Sequence, residues 1–463
     1  MAATVLLLLV SGYAGAPAYA QEQNVRRLSL EEALKLAETN NHQVQIAREQ
    51  LSQAKGQSLE AWNGFLPKVT VSETFVRSND PVAVFGAKLR QGVFGISDFG
   101  GPAATAAFPF DPSLPMLNNP SEVNNFNTAI EVQQPILNFD AILGKSAASA
   151  AVSGREYGLK RTEEAISLGI VKVYFGITLA KDKVNAIDQA LKSINAYYNE
   201  AKAAFDKGLI NESDLLSVQV RQAELQEQRM VAENDFRNAS DNLRFLLRIE
   251  DNVVIEPTDS IAVTESAPQV DVNKPAIERS DIKAMESFEN AASRNFNREW
   301  MGWLPRINGF ARYDWHSDKV LGNDGKNWML GVMLEWNVLE GLGLGKYGRI
   351  QKASAEAEEM RIKYEEAKEK SVVEVRQAMR DLVSAKERVQ IAEKSVAQAE
   401  ASYRIVSSRF REGLERSSEL LTKEAMLTNA KLRLLKAKYD HKIAMRELVF
   451  YSGSYPATEV SEK

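Results

Sequence analysis

The sequence predicts an internally duplicated α+β membrane protein, with long α-helices in coiled-coil packing and four β-strands that complete a transmembrane barrel only with sister copies of the chain. Three observations predict it. Phe205-Asp206-Lys207-Gly208-Leu209 and Phe410-Arg411-Glu412-Gly413-Leu414 are one element written twice, 205 residues apart, and Asp214-Leu215-Leu216 matches Glu419-Leu420-Leu421 at the same offset. Each copy follows a heptad seam, Val173 to Phe205 in the first and Ala378 to Phe410 in the second, stepping by alternating fours and threes as supercoiling helices do. Four further segments switch to a period of two.

Residues 1–20 read as a secretory leader: Val5–Val10 is apolar, and Ala18-Tyr19-Ala20 is an A-x-A cleavage site before Gln21, although a basic n-region is missing. The rival, a short membrane anchor, has an apolar run far below the ~20 residues a helical span needs. The first repeat is expected over 21–250. Ser29-Leu30-Glu31-Glu32 is a capping box that opens a helix running to about Phe65, where Leu66-Pro67 stops it. Leu304-Pro305 is the matching break, and Trp62 and Gly64 recur there as Trp300 and Gly302.

After each Leu-Pro the alternation begins. In the hairpin over 68–134, Val69, Val71 and Phe75 oppose polar neighbours, and the return strand sets Phe126, Thr128, Ile130 and Val132 against Asn127, Ala129, Glu131 and Gln133. In the hairpin over 306–336, Ile307, Ala311 and Tyr313 lead to Trp328, Leu330, Val332, Leu334 and Trp336; Phe310 falls on the polar side. Each strand is roughly 9–10 residues long, the length of a tilted membrane-crossing strand. The first hairpin carries a longer loop, about 77–125, with Phe85, Phe94, Phe99, Phe108 and Phe110. Three placements are open to it: outside, over the barrel mouth, or against another molecule.

Long helices are expected over 141–206 and 345–411, each on the order of 100 Å, with shorter returns over 212–249 and 417–451. Residues 251–274, with Pro257 and Pro268 and no helical period, read as a linker. The second repeat is expected over 275–453, entered by a helix over 275–303, and 454–463 as a tail.

A four-stranded sheet cannot stand open-edged in lipid. Closure takes at least eight strands, so two copies supply eight and three supply twelve. All six tryptophans, Trp62, Trp300, Trp303, Trp315, Trp328 and Trp336, fall in or near the strands, as in an aromatic girdle. A soluble β-subdomain with a Trp-rich core is the alternative.

The 57 basic and 62 acidic residues give a net charge of −5, which makes no case for nucleic acid. Cysteine is absent, which excludes disulfides and thiolate sites. His42, His316 and His441 lack metal-ligand spacing, and no nucleophile elbow, phosphate loop or carboxylate pair appears. No catalytic, metal or cofactor site is therefore expected. The serious rival to a channel is a periplasmic coiled-coil adaptor or scaffold without its own pore.

The opening Leu28-Ser29-Leu30-Glu31-Glu32-Ala33-Leu34-Lys35-Leu36-Ala37, the two Leu-Pro breaks, Gln134-Pro135-Ile136-Leu137 and the paired Phe-x-x-Gly-Leu tips occur in one order. With them the chain resembles the TolC-type outer membrane efflux protein family over essentially all of its mature length. Arg279-Ser280-Asp281-Ile282 is similar to the family's Pro-Asp-Leu segment, with serine replacing proline. The resemblance implies a homotrimer with a twelve-stranded barrel in the bacterial outer membrane and a helical tunnel across the periplasm. It implies an exit duct of a tripartite efflux or type I secretion system, with a periplasmic adaptor (membrane fusion) protein and an inner-membrane transporter as partners. The adaptor would dock at the tips Gly208, Leu209, Gly413 and Leu414; a left-handed glycine at a helix end has a purely structural use as well. The aperture positions are Asp214, Phe410, Glu415, Arg416 and Glu419. Phe410 stands where the family often has tyrosine and Glu415 where arginine can occur, so other contacts are expected to hold the closed state. A ring of Glu419 would favour cations.

Overall fold

The structure, a computed structural model, describes residues 24–95, 98, 118–251, 253–262, 270–337 and 343–454. The expected leader, Phe99, Phe108, Phe110, linker residues 263–269 and the tail beyond 454 lie outside the described residues. In chain order the elements are β1 (Val25–Leu28), α1 (Leu30–Asn40), α2 (His42–Glu60) with a 3-10 turn (Ala61–Gly64), β2 (Lys68–Ser78), α3 (Pro81–Gln91), β3 (Val123–Leu137), α4 (Phe139–Asp206), α5 (Glu212–Leu247), β4 (Val254–Pro257), α6 (Ser280–Met301), β5 (Arg306–Ser317), β6 (Gly325–Glu335), α7 (Leu344–Arg411) and α8 (Ser417–Ser452).

The duplication is exact in helix length. Both long helices, α4 and α7, have 68 residues, and both returns, α5 and α8, have 36. The chain divides into two compact units. One takes the N-terminal segment to His42, Ala165–Gln269 and Ala378–Leu448; the other takes Gln43–Glu164, Val270–Gln377 and Val449 onward.

In the first unit the heptad seams are largely inward: Ile177, Ala180, Ile187, Leu191, Ile194 and Ala201 are buried on α4, and Ala378, Leu382, Ala385 and Val389 on α7. A core of Leu28, Ala33, Tyr174, Ile177, Leu247, Ile255 and Ile443 joins strands and helices from distant parts of the chain. Two strands here were not foreseen. β1 and β4 pair in parallel, Val25 opposite Val254 and Leu28 opposite Pro257, so the linker begins as a strand. At four residues each, neither shows a period. The Ser29 capping box forms as expected. The expected single helix to Phe65 instead breaks at Asn41, whose backbone is extended and whose side-chain amide donates to the Leu246 carbonyl at 2.9 Å.

In the second unit, β2, β3, β5 and β6 form one antiparallel sheet in the order β2-β3-β5-β6. The strands run 11, 15, 12 and 11 residues, longer than the alternating apolar stretches alone. The recurring Trp-x-Gly has a packing cause in its first copy, where a Cβ on Gly64 would stand 2.6 Å from Ala141 at the start of α4; at Gly302 the nearest atom, at 2.6 Å, is the flexible Lys346 ammonium at the start of α7. Loop 77–125 is not all loop, since α3 lies within it. Asp80 caps its start at the Ala83 N–H, Pro81 occupies the first turn, and Gly92 ends it with a left-handed φ of 70°.

Candidate membrane channel and docking tips

The strand register sorts the sheet into two faces. Val71, Ile130, Tyr313 and Trp328 fall in one cross-strand row, and Val69, Val132, Ala311 and Leu330 in the next. Most of this face is exposed, with Val71, Leu330 and Trp328 each about 70% accessible or more (68%, 72% and 74%). An apolar sheet face left open in one chain fits a hydrocarbon surround. No described helix is long and apolar enough to cross a membrane.

The other face is polar. Arg312 bonds Asp314 at 2.9 Å and reaches Glu131 at 3.4 Å on the neighbouring strand. Asn125 meets His316 at 3.4 Å. Phe310, which broke the alternation, lies on this face because β6 offers Gly331 beneath it: a Cβ there would stand 2.6 Å from the ring. α3 packs on this polar face, with buried Gln91 donating to the Asn124 carbonyl at 2.8 Å and to Asn125 at 3.1 Å. Arg90's carbonyl occupies the space over Gly325, where a Cβ would come within 1.8 Å.

The tryptophans divide between the two ends of the sheet. Trp62, Trp300, Trp303 and Trp336 stand where the helices join, and the Trp336 indole donates to the Trp303 carbonyl at 3.1 Å. Trp315 and Trp328 stand toward the loop end, Trp315 packed on Tyr313 at 4.6 Å.

Both tips are Schellman turns with the same bonds. Gly208 and Gly413 have φ of 70° and 75°. Gly208 N–H donates to Phe205 O and Leu209 N–H to Ala204 O; Gly413 N–H donates to Phe410 O and Leu414 N–H to Arg409 O. No atom crowds either glycine, so backbone conformation alone selects the residue. The residue after the glycine usually packs back on its own helix in this motif. Leu209 and Leu414 do not: they are 73% and 65% exposed.

The expected aperture residues do not join one another within a chain. Phe410 packs edge-on against Tyr197 at 4.9 Å. Glu415 pairs with Arg409 at 3.6 Å, and Glu419 with Lys423 at 2.8 Å, one helical turn on. Arg416 and Asp214 have no ion pair among the described residues. Sequence reasoning missed the buried link beside them: Arg221 Nε on α5 donates to Glu424 Oε2 on α8 at 2.8 Å, and Thr428 bonds the other Glu424 oxygen at 2.6 Å. The signal was present. Arg221 lies between buried Val218 and Leu225 in a four-three spacing, so a charge stands in a seam.

Residues 33–247 and 273–454 match the family model described as outer membrane efflux protein. No curated protein sequence matches. Among solved structures, CusC superposes with a TM-score of 0.76 at 13% identity over 91% of each chain. The outer-membrane channel OprN gives 0.75 at 16% over 92% of this chain and 89% of its own. The Campylobacter jejuni CmeC outer membrane channel gives 0.73 at 17% over 98% and 95%. The family match, the fold shared with these channels and the sheet with one apolar and one polar face agree, and the chain belongs to the outer membrane efflux protein family, as an outer-membrane exit duct of an efflux system.

Proposed function

We propose that three copies close one twelve-stranded barrel, that a periplasmic adaptor docks on the exposed tip leucines Leu209 and Leu414, and that an inner-membrane transporter supplies the energy for transport through an otherwise passive duct. The observation that carries this reading is the four-stranded sheet with two edges, β2 and β6, unpaired among the described residues, and an apolar face. Open edges in lipid leave backbone groups unsatisfied at several kcal/mol each, and sister copies are the means of sealing them. The strands alternate in direction across the sheet, so β6 of one copy meets β2 of the next antiparallel.

In this reading Asp214, Phe410, Glu415, Arg416 and Glu419 surround the periplasmic entrance. The free Arg416 and Asp214 are partners for a sister chain rather than for their own. The six tryptophans anchor the two membrane interfaces. Detergent-purified protein should have the mass of three chains and conduct in planar bilayers, and Arg416→Ala should raise single-channel conductance. A water-soluble monomer without conductance would overturn the assembly; unchanged conductance in Arg416→Ala would remove that residue from the entrance.

A further inference from the structure

Two residues separate the edge strand β2 from α3, whose last turn lies on the other edge strand, β6. Its 11 residues make about 16 Å of helix, close to the roughly 14 Å that four strands span at their usual spacing. The helix therefore crosses the polar face of the sheet from one unpaired edge to the other. Its two ends are complementary. At the start, Asp80 is exposed and makes no ion pair among the described residues, and Val82 is 81% exposed. At the end, Arg90 is exposed and likewise unpaired, and Val93 is 59% exposed.

We propose that α3 is one link of a ring inside the outer mouth of the barrel, each copy meeting the next head to tail, with Asp80 against the neighbour's Arg90 and Val82 against its Val93. The inference rests on the trimer reading. The closure that brings β6 of one copy to β2 of the next carries the end of one α3 to the start of the other, and a head-to-tail contact closes into a ring when its rotation does. Exposed Leu89, with Phe85 packed on Phe94 at 4.6 Å beside it, then faces the passage, an apolar constriction of the kind that gates by dewetting. The partner is a second copy of this chain, recognised by opposite charge at the two helix ends.

The chain has no cysteine of its own, which makes the test clean. Val82→Cys/Val93→Cys places two thiols about 16 Å apart within one copy, beyond the Cα separation a disulfide allows. Oxidation in native membranes should therefore yield covalent dimers and trimers on non-reducing gels, which neither single variant forms to the same extent. Adding Arg90→Asp should cut the cross-linked fraction several-fold, and a further Asp80→Arg should restore it. A channel with the mass of three chains that gives no cross-link would overturn the ring and leave the trimer standing. A monomer would overturn both.

Discussion

Tyr174 shows how one side chain ties distant segments together. Its hydroxyl donates to the Leu28 carbonyl or the Asp259 carboxylate, at 2.9 and 2.5 Å, and accepts from the N–H groups of Thr258 and Asp259. Burial, then the bond to Asp259, pushes its pKa up to about 12 from an ordinary 10.0. The sign follows directly. The folded protein holds this proton more tightly than the unfolded chain, so the stabilisation is complete below pH 10 and is lost as pH rises through 10 to 12. The shift corresponds to about 2–3 kcal/mol. Denaturation of wild type and Tyr174→Phe across this range should show their stability difference shrinking by about that amount; a constant difference would deny the hydroxyl this role. The family-like Arg279-Ser280-Asp281 segment works similarly in the other unit. Buried Arg279 grips Asp281 at 2.7 Å and Glu374 at 2.6 Å, while Ser280 bonds Glu164 at 2.6 Å. Burial alone would raise the Asp281 carboxyl, but its bond to Arg279 and the charge of Arg161 hold it below the usual range.

At the scale of elements, the long helices were readable almost to the residue, because seven-residue spacing repeated over many turns leaves one helical register. The turns were readable from glycine. The break at Asn41 was not, since the apolar period continues past it and the Leu246 carbonyl that its side chain meets lies 205 residues away. β1 and β4 were invisible for a different reason: their pairing partner lies more than 200 residues away, and a four-residue strand carries no pattern. α3 had its caps in plain view, Asp80-Pro81 before and Gly92 after, but Val82, Val84, Phe85 and Leu89 gave it apolar positions on several sides and hid the period. The candidate site divides likewise. The tips were legible, whereas the Arg221–Glu424 link needed two helices from different repeats to be side by side. Those tips yield a prediction. Leu209→Asp/Leu414→Asp, changing two exposed side chains and no internal packing, should abolish efflux in a complementation assay while assembly and bilayer conductance persist. Normal efflux would show that the adaptor binds elsewhere.

For the whole molecule, the two faces of the sheet set the rules for substitution. Leu330 lies on the apolar face and Ser72 on the polar one. An arginine at the middle of the lipid face costs about 2–4 kcal/mol, so Leu330→Arg should sharply lower the amount recovered from outer membranes. Ser72→Arg should assemble normally. Equal yields would reverse the assignment of the faces. The parallel pairing of Val25 with Val254 has a further reach. A chain that enters the periplasm with its N-terminus leading delivers β1 early, and that strand then waits for about half the polypeptide to follow. Its core neighbour Ile443 arrives almost last. Contacts so remote in sequence are slow to form and leave apolar surface uncovered meanwhile. Maturation of this chain is therefore expected to need protection from aggregation during transit, a demand set by the order in which its segments emerge.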